Sequence, residues 1–131
     1  MLQPNQFQVD EAWIAFKLND DPIRTAADGD FDFLAVMDAA SCLILSSTAV
    51  STHARQPSRE QARRLLEEAR LEHQVLPKTL FIPADLAATE LELEAQTQQI
   101  TAVRVPIDQL LLFVGEARQG FRERFGAGDA M

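Results

Sequence analysis

The side chains able to do chemistry here are a scatter of acids, two histidines, one cysteine and a few hydroxyls, and their spacing limits what they can do. Asp28-Gly29-Asp30-Phe31-Asp32 opens like a calcium loop, because acids at alternate positions can wrap an oxygen-seeking cation. The pattern then breaks. Phe33 stands where the loop needs its turn glycine, and Ala39 where it needs a bidentate glutamate. An acidic turn feeding a strand is the expected reading. His53 and His73 are far apart in the chain, with Cys42 as the lone further soft ligand, too few for a metal site of their own. His73 near a helix C-terminus suits the helix dipole without any metal. Ser41 or Cys42 would need a positioned base to act as a nucleophile. Cys42, at the start of an expected strand, reads instead as a small buried hydrophobe. Gly29, Gly115, Gly120, Gly126 and Gly128 are the only glycines, and none forms a Gly-rich loop between a strand and a helix. A phosphate cradle of that kind is excluded. No cofactor and no metal follows from these residues.

Composition sets the frame around them. The chain has 131 residues, 47% hydrophobic and 24% charged, which suits one core rather than two domains. A single α/β domain over residues 1–125 is expected, followed by a flexible tail at 126–131 that opens Gly126-Ala127-Gly128-Asp129. Twenty acids against twelve Lys and Arg give a net charge of −8. The basic residues Arg55, Arg59, Arg63, Arg64 and Arg70 are interleaved with Glu60, Glu67, Glu68 and Glu72, which makes a solvated, ion-paired helix face. That is not the basic face that displaces counterions from phosphates, so nucleic acid is not an expected partner. Apolar runs such as Leu110 to Val114 are far shorter than the roughly 20 residues of a membrane span. The start Met1-Leu2-Gln3-Pro4-Asn5-Gln6 has no secretory pattern, and one cysteine fits a reducing compartment. A cytoplasmic location is expected.

The elements that must position the chemistry read in order. Ala12 to Leu18 is a strand anchored by Trp13, and Asn19-Asp20-Asp21-Pro22 is turn chemistry. Phe31 to Met37 is apolar nearly throughout, as a strand covered on both faces would be. Asp38-Ala39-Ala40-Ser41 turns the chain into Cys42 to Val50, completing a hairpin. Ser58 and Gln61 have the capping-box spacing, and Ala62, Leu65, Leu66 and Ala69 follow at helical spacing. Thr79 to Ile82 is a short buried strand between Pro77 and Pro83. Residues 84–98 predict a second helix, Ile100 to Val105 a strand, and Pro106 opens a third helix. The order β-β-β-α-β-α-β-α implies an α/β fold whose mixed sheet is covered by helices. Trp13 is expected to be buried beneath the hairpin.

This order resembles the ribonuclease-H-like fold, and in particular retroviral integrase and transposase catalytic cores. The likeness lies in the strand opening Trp13-Ile14-Ala15-Phe16 and in the hairpin from Phe33 to Ile44 with its small-residue corner. It continues through the helix Ser58 to His73 and the strand Pro77-Lys78-Thr79-Leu80-Phe81-Ile82, and spans about residues 12–124. The resemblance implies chemistry by three carboxylates around two divalent ions. Its first carboxylate position, in the opening strand, is Phe16 here. Its second, after the fourth strand, has Asp85 available, two residues late and beyond Pro83. Its third, in the last helix, has Glu116. Asp38, at the hairpin corner, reads as an Asx-type cap on Ser41.

Three functions stay open on these grounds. The first is a non-enzymatic interaction module on a ribonuclease-H-like scaffold. The second is a metal-dependent phosphodiesterase drawing on Asp38, Asp85 and Glu116. The third is a small-molecule-binding domain with a pocket at the ends of its parallel strands. Self-association as a homodimer is expected through the second helix. At about 100° per residue Ala84, Ala88, Leu91 and Ala95 form one stripe, leaving Leu86 and Leu93 nearly opposite, rimmed by Glu90, Glu92 and Glu94.

Overall fold

A computed structural model of the chain describes residues 1–19, 22–27 and 29–126. Six strands form one sheet: β1 (Ala12–Lys17), β2 (Ile23–Thr25), β3 (Gly29–Asp38), β4 (Ile44–Ser51), β5 (Thr79–Pro83) and β6 (Thr101–Val105). Three helices cover it, α1 (Arg59–His73), α2 (Thr89–Thr97) and α3 (Leu111–Phe121). Phe31 pairs with both Ile23 and Ser51, and Leu34 to Met37 pair with both β1 and β4. β1 and β2 therefore share one edge of β3 and β4 takes the other. The long strands run β4-β3-β1-β5-β6, with β1, β5 and β6 mutually parallel and β3 antiparallel to β1.

β1 is the centre, buried from Ala12 to Phe16. Alternation sends Trp13 and Ala15 into a layer with Ala62, Leu65, Leu66 and Ala69 of α1 and with Leu91 and Ala95 of α2. Ala12, Ile14 and Phe16 point the other way, against Leu110, Phe113 and Val114. Trp13 is 1% exposed and shares its layer with Leu34, Val36, Leu45 and Val50 of the β3–β4 hairpin, as expected. Its indole Nε1 is buried without a hydrogen-bond partner among the described residues.

Helix α1 forms where its capping chemistry places it. Ser58 Oγ accepts from Gln61 N at 3.1 Å, and Ser58 N donates to Gln61 Oε1 at 2.9 Å. It stops at Gln74, whose left-handed conformation (φ 59°) lets its amide reach Arg70 O.

Five expectations change in detail. β2 forms after the Asn19–Pro22 turn signal, where the sequence suggests no element, because β1 reaches only Leu34 to Asp38 and leaves the start of β3 open along that edge. β3 is covered on both faces only in its second half; Gly29 to Phe33 are half-buried. Cys42 is not in β4: it is a half-buried turn residue at φ 60°, two residues before the strand. Helix α2 begins at Thr89, not at residue 84. Ala84 N stays tied to Val105 O at 2.7 Å and Leu86 N turns back to Pro83 O at 3.0 Å, so residues 84–88 are a turn. Ala84 is accordingly exposed, while Ala88, Leu91 and Ala95 keep the buried stripe. The third helix enters through a 3₁₀ turn at Ile107–Leu110 and continues as a wider π-type turn at Arg122–Gly126. Residues 127–131 of the expected tail lie outside the described residues. No described helix is long and apolar enough to cross a membrane.

The far end of α1 is tied to the chain before β1 by His73 Nδ1 and Asp10 Oδ1, 2.7 Å apart. Asp10 holds φ 66°, and its amide donates to Asp38 Oδ1 at 2.8 Å. The hydrogen bond that the His73 ring donates to the Asp10 carboxylate raises the His73 pKa, and the negative charge of Asp10 adds to the effect. A histidine whose folded pKa lies above its ordinary 6.5 adds stability that is complete below about pH 6.5 and is lost as pH rises through the folded value.

Two outcomes follow from this packing. Trp13→Ala is expected to cost about 3–5 kcal/mol in urea unfolding, and native emission lies well to the blue of free tryptophan. In an NMR titration the His73 ring protons titrate above 6.5, and Asp10→Asn brings them back towards that value; a midpoint indifferent to Asp10→Asn would contradict the tie.

Candidate functional site

The sheet offers two ends, and the sequence-predicted acids divide between them. β1 and β5 run parallel with Trp13 opposite Leu80, so both end on the same side of the molecule. Asp38 pairs with Trp13, at the opposite end.

At that opposite end Asp38 is fully buried and spent on the hairpin corner. Its Oδ2 accepts from Ser41 N at 2.9 Å and Ser41 Oγ at 2.8 Å, and its Oδ1 accepts from Asp10 N. The Asx-type cap on Ser41 is present. Cys42 follows in the turn. Burial, then the charges of Glu116 and Asp38, push its thiol pKa up, which leaves it protonated and poorly nucleophilic. Asp32 of the calcium-like stretch accepts from Asn19 Nδ2 at 2.9 Å, Asp30 lends its backbone carbonyl to Thr52, and Asp28 lies outside the described residues.

At the carboxyl ends of β1 and β5 lies a cleft of about 290 Å³ lined by Lys17, Pro83, Asp85, Leu86, Ile107 and Arg118. Each has a local reason to be there. Lys17 closes β1 where the apolar run ends, and its carbonyl accepts from Arg118 Nε of α3 at 2.9 Å. Pro83 ends β5. Asp85 and Leu86 follow in a turn held by Arg104 of β6, whose Nη1 donates to Pro83 O at 2.8 Å and to Leu86 O, and whose Nε pairs with Glu92 of α2. One guanidinium thus satisfies two carbonyls of the turn between β5 and α2.

Asp38, Asp85 and Glu116 are therefore not brought together. Asp38 is at one end of the sheet and Asp85 beyond the other. Glu116 lines a depression on α3 with Leu18, Ile44, Ala117 and Phe121, and of the other two acids only Asp38 shares its influence on Cys42. Phe16, at the position where the resemblance implies a first carboxylate, is fully buried in the α3 layer. Among the described residues no group of three His, Cys, Asp or Glu side chains is placed to share a metal ion.

The expected interface pair is also separated. Leu86 sits in the turn before α2, half-buried against the α1–α2 core, while Leu93 is 49% exposed on the helix. One helical stripe cannot carry both, because the chain is not helical at 86. Glu92, expected on the rim, turns to Arg104. Lys17 and Arg118 also line the cleft, and no motif in the sequence marks either of them. The only hint in the sequence is a cation closing an otherwise apolar strand.

No protein-family model matches the sequence, and no curated protein matches it either. Solved structures do resemble it in shape. A chain of the simian T-cell lymphotropic virus intasome, in a complex with PP2A regulatory subunit B56 gamma, superposes with a TM-score of 0.56 at 13% identity. All of this chain is covered, but only 45% of that one. The catalytic core domain of BIV integrase superposes with a TM-score of 0.56 at 14% identity, over 92% of this chain and 72% of that one. The strand order, the mixed sheet and these superpositions together establish the ribonuclease-H-like fold, of the kind found in retroviral integrase cores.

Proposed function

We propose that this domain is a non-catalytic interaction module on an integrase-core-like scaffold. The observation that carries the reading is the identity of its strand ends. Phe16 is sealed under α3 at the first carboxylate position, and Lys17 and Arg118 bring positive charge to the cleft beside Asp85. A two-metal phosphodiester reaction needs converging carboxylates to hold its ions, and among the described residues no three acids or other metal-ligating side chains are grouped. Fold alone assigns no activity. The expected result with labelled DNA and RNA in Mn²⁺ is no cleavage above buffer; cleavage abolished by Asp85→Asn would establish the phosphodiesterase reading instead.

The partner we propose is a second copy of the chain, meeting on the outward face of α2. Leu93 stands exposed there in a shallow surface with Arg59, Glu90, Glu94 and Thr97, an apolar centre within a charged rim. Arg59 beside the two glutamates gives that rim both signs of charge, as a two-fold, self-complementary contact requires. Sedimentation equilibrium is expected to show a dimer that Leu93→Glu weakens at least tenfold. A monomer at every accessible concentration, or a dimer indifferent to the change, sinks this contact.

A further inference from the structure

We propose that the free edge of β6 pairs with the same edge of a second copy, antiparallel about Val103, so that two sheets join into one. This rests on the self-association proposed above and specifies how the copies meet, and the edge contact and the Leu93 contact are separable by experiment.

The open edge follows from the ladder. Thr101 N donates to Lys78 O at 3.0 Å and Val105 O accepts from Ala84 N at 2.7 Å, so the odd positions of β6 turn their backbone towards β5. Ala102 and Arg104 turn theirs away. β6 ends the strand order, and these outward N–H and C=O groups meet no partner among the described residues. The strand is half-exposed and carries no lysine, proline or bulge to blunt it. β4, at the other end of the long strands, is treated differently. Gln61 Nε2 donates to Ala49 O at 2.9 Å, and Ala54 N and Arg55 N turn back to Ser51 O. One terminal edge is blunted and the other is open, which suits a closed pair rather than a filament.

The residues of β6 select their own kind. Only one antiparallel register gives two hydrogen-bonded pairs, with Ala102 opposite the partner's Arg104 and Arg104 opposite the partner's Ala102. A register centred on Arg104 sets like charges face to face, and one centred on Ala102 leaves the Arg104 backbone unpaired. In the first register Val103 meets its own copy and Thr101 meets the partner's Val105, so β-branched pairs fill that face. On the other face the small Ala102 leaves room beside the partner's Arg104. The Arg104 guanidinium is already held by Pro83 O, Leu86 O and Glu92, so its charge is fixed before the copies meet. Gln99, at φ 63°, and Pro106 bound the pairing to this one short strand. Backbone pairing of that length covers less than the roughly 1,200 Å² of a stable specific interface. Glu92 ties α2 to the same edge, which carries the helix with the exposed Leu93 towards the two-fold axis to supply the remainder.

Amide hydrogen exchange by NMR on the full chain, below and above the concentration of dimer formation, reads the edge directly. The Ala102 and Arg104 amides are expected to slow about tenfold or more with concentration, while those of β5 stay constant. Ala102→Pro removes an N–H that faces away from β5. With its fold confirmed by circular dichroism and Trp13 emission, it is expected to weaken the dimer about tenfold or more in sedimentation equilibrium, the scale of two lost backbone hydrogen bonds. Val103→Lys sets like charges face to face across the axis without touching the backbone, and is expected to do the same. A dimer whose Ala102 and Arg104 amides exchange independently of concentration, or that keeps its affinity in both folded variants, overturns edge pairing and leaves the Leu93 contact standing. A dimer lost in Ala102→Pro but indifferent to Leu93→Glu does the reverse. A monomer at every accessible concentration, with the edge left for another protein's strand, overturns both.

Discussion

The structure depends on one strand that has no exposed face. β1 lies between an antiparallel neighbour and a parallel one, and from Ala12 to Phe16 every side chain is buried. Because successive side chains alternate, β1 must furnish two cores at once, and it does so with unequal pieces. Trp13 fills the α1–α2 side, whereas Ile14 and Phe16 fill the α3 side. Small residues share the layer with the large one: Ala62 and Ala69 of α1 and Ala95 of α2 lie in the same buried cluster as Trp13, in the close packing that protein interiors require. A charged group in the middle of this strand would have to be paired or solvated there. Phe16 removes that requirement and closes the layer against Phe113 and Val114 of α3.

Polar groups then do their work at the rims. Asp38 ends β3 inside the fold and is tolerated because three donors reach its two oxygens, fixing both the hairpin corner and the entry into β1. Arg104 does the corresponding task at the other end, holding Pro83 and Leu86 carbonyls while pairing with Glu92. Both residues carry charges that a functional reading would notice first, and both are occupied in shaping turns. Lys17 and Asp85, which line the cleft and have no side-chain partner among the described residues, lie outside the buried core.

The consequence for chemistry is geometric. A mixed sheet sends the ends of its parallel strands to one side and the β3–β4 corner to the other, so acids placed by turn propensity at the corner cannot meet acids placed after β5. An integrase-like topology therefore does not by itself bring this chain's acids together. The same topology does bring a lysine from the central strand beside an arginine from the last helix, 101 residues apart.

Most of the element order was legible from local signals because each signal has a local cause. The Ser58–Gln61 capping box, the i, i+3, i+4, i+7 apolar spacing of α1, the Asp38–Ser41 corner and the proline-bounded β5 all depend on neighbours within a few residues. The sequence by itself also determined that Trp13 would be buried, since no other arrangement hides an indole in so apolar a strand. Only tertiary structure decided the rest. Residues 84–88 look helical by composition but are held as a turn by Val105 and Arg104, a strand away in space. Ile23 to Thr25 pair only because β1 stops short along β3. Which charges share a cleft is likewise a property of strand order and helix placement, and long-range register leaves no trace in the local spacing of Lys17, Asp85 and Arg118.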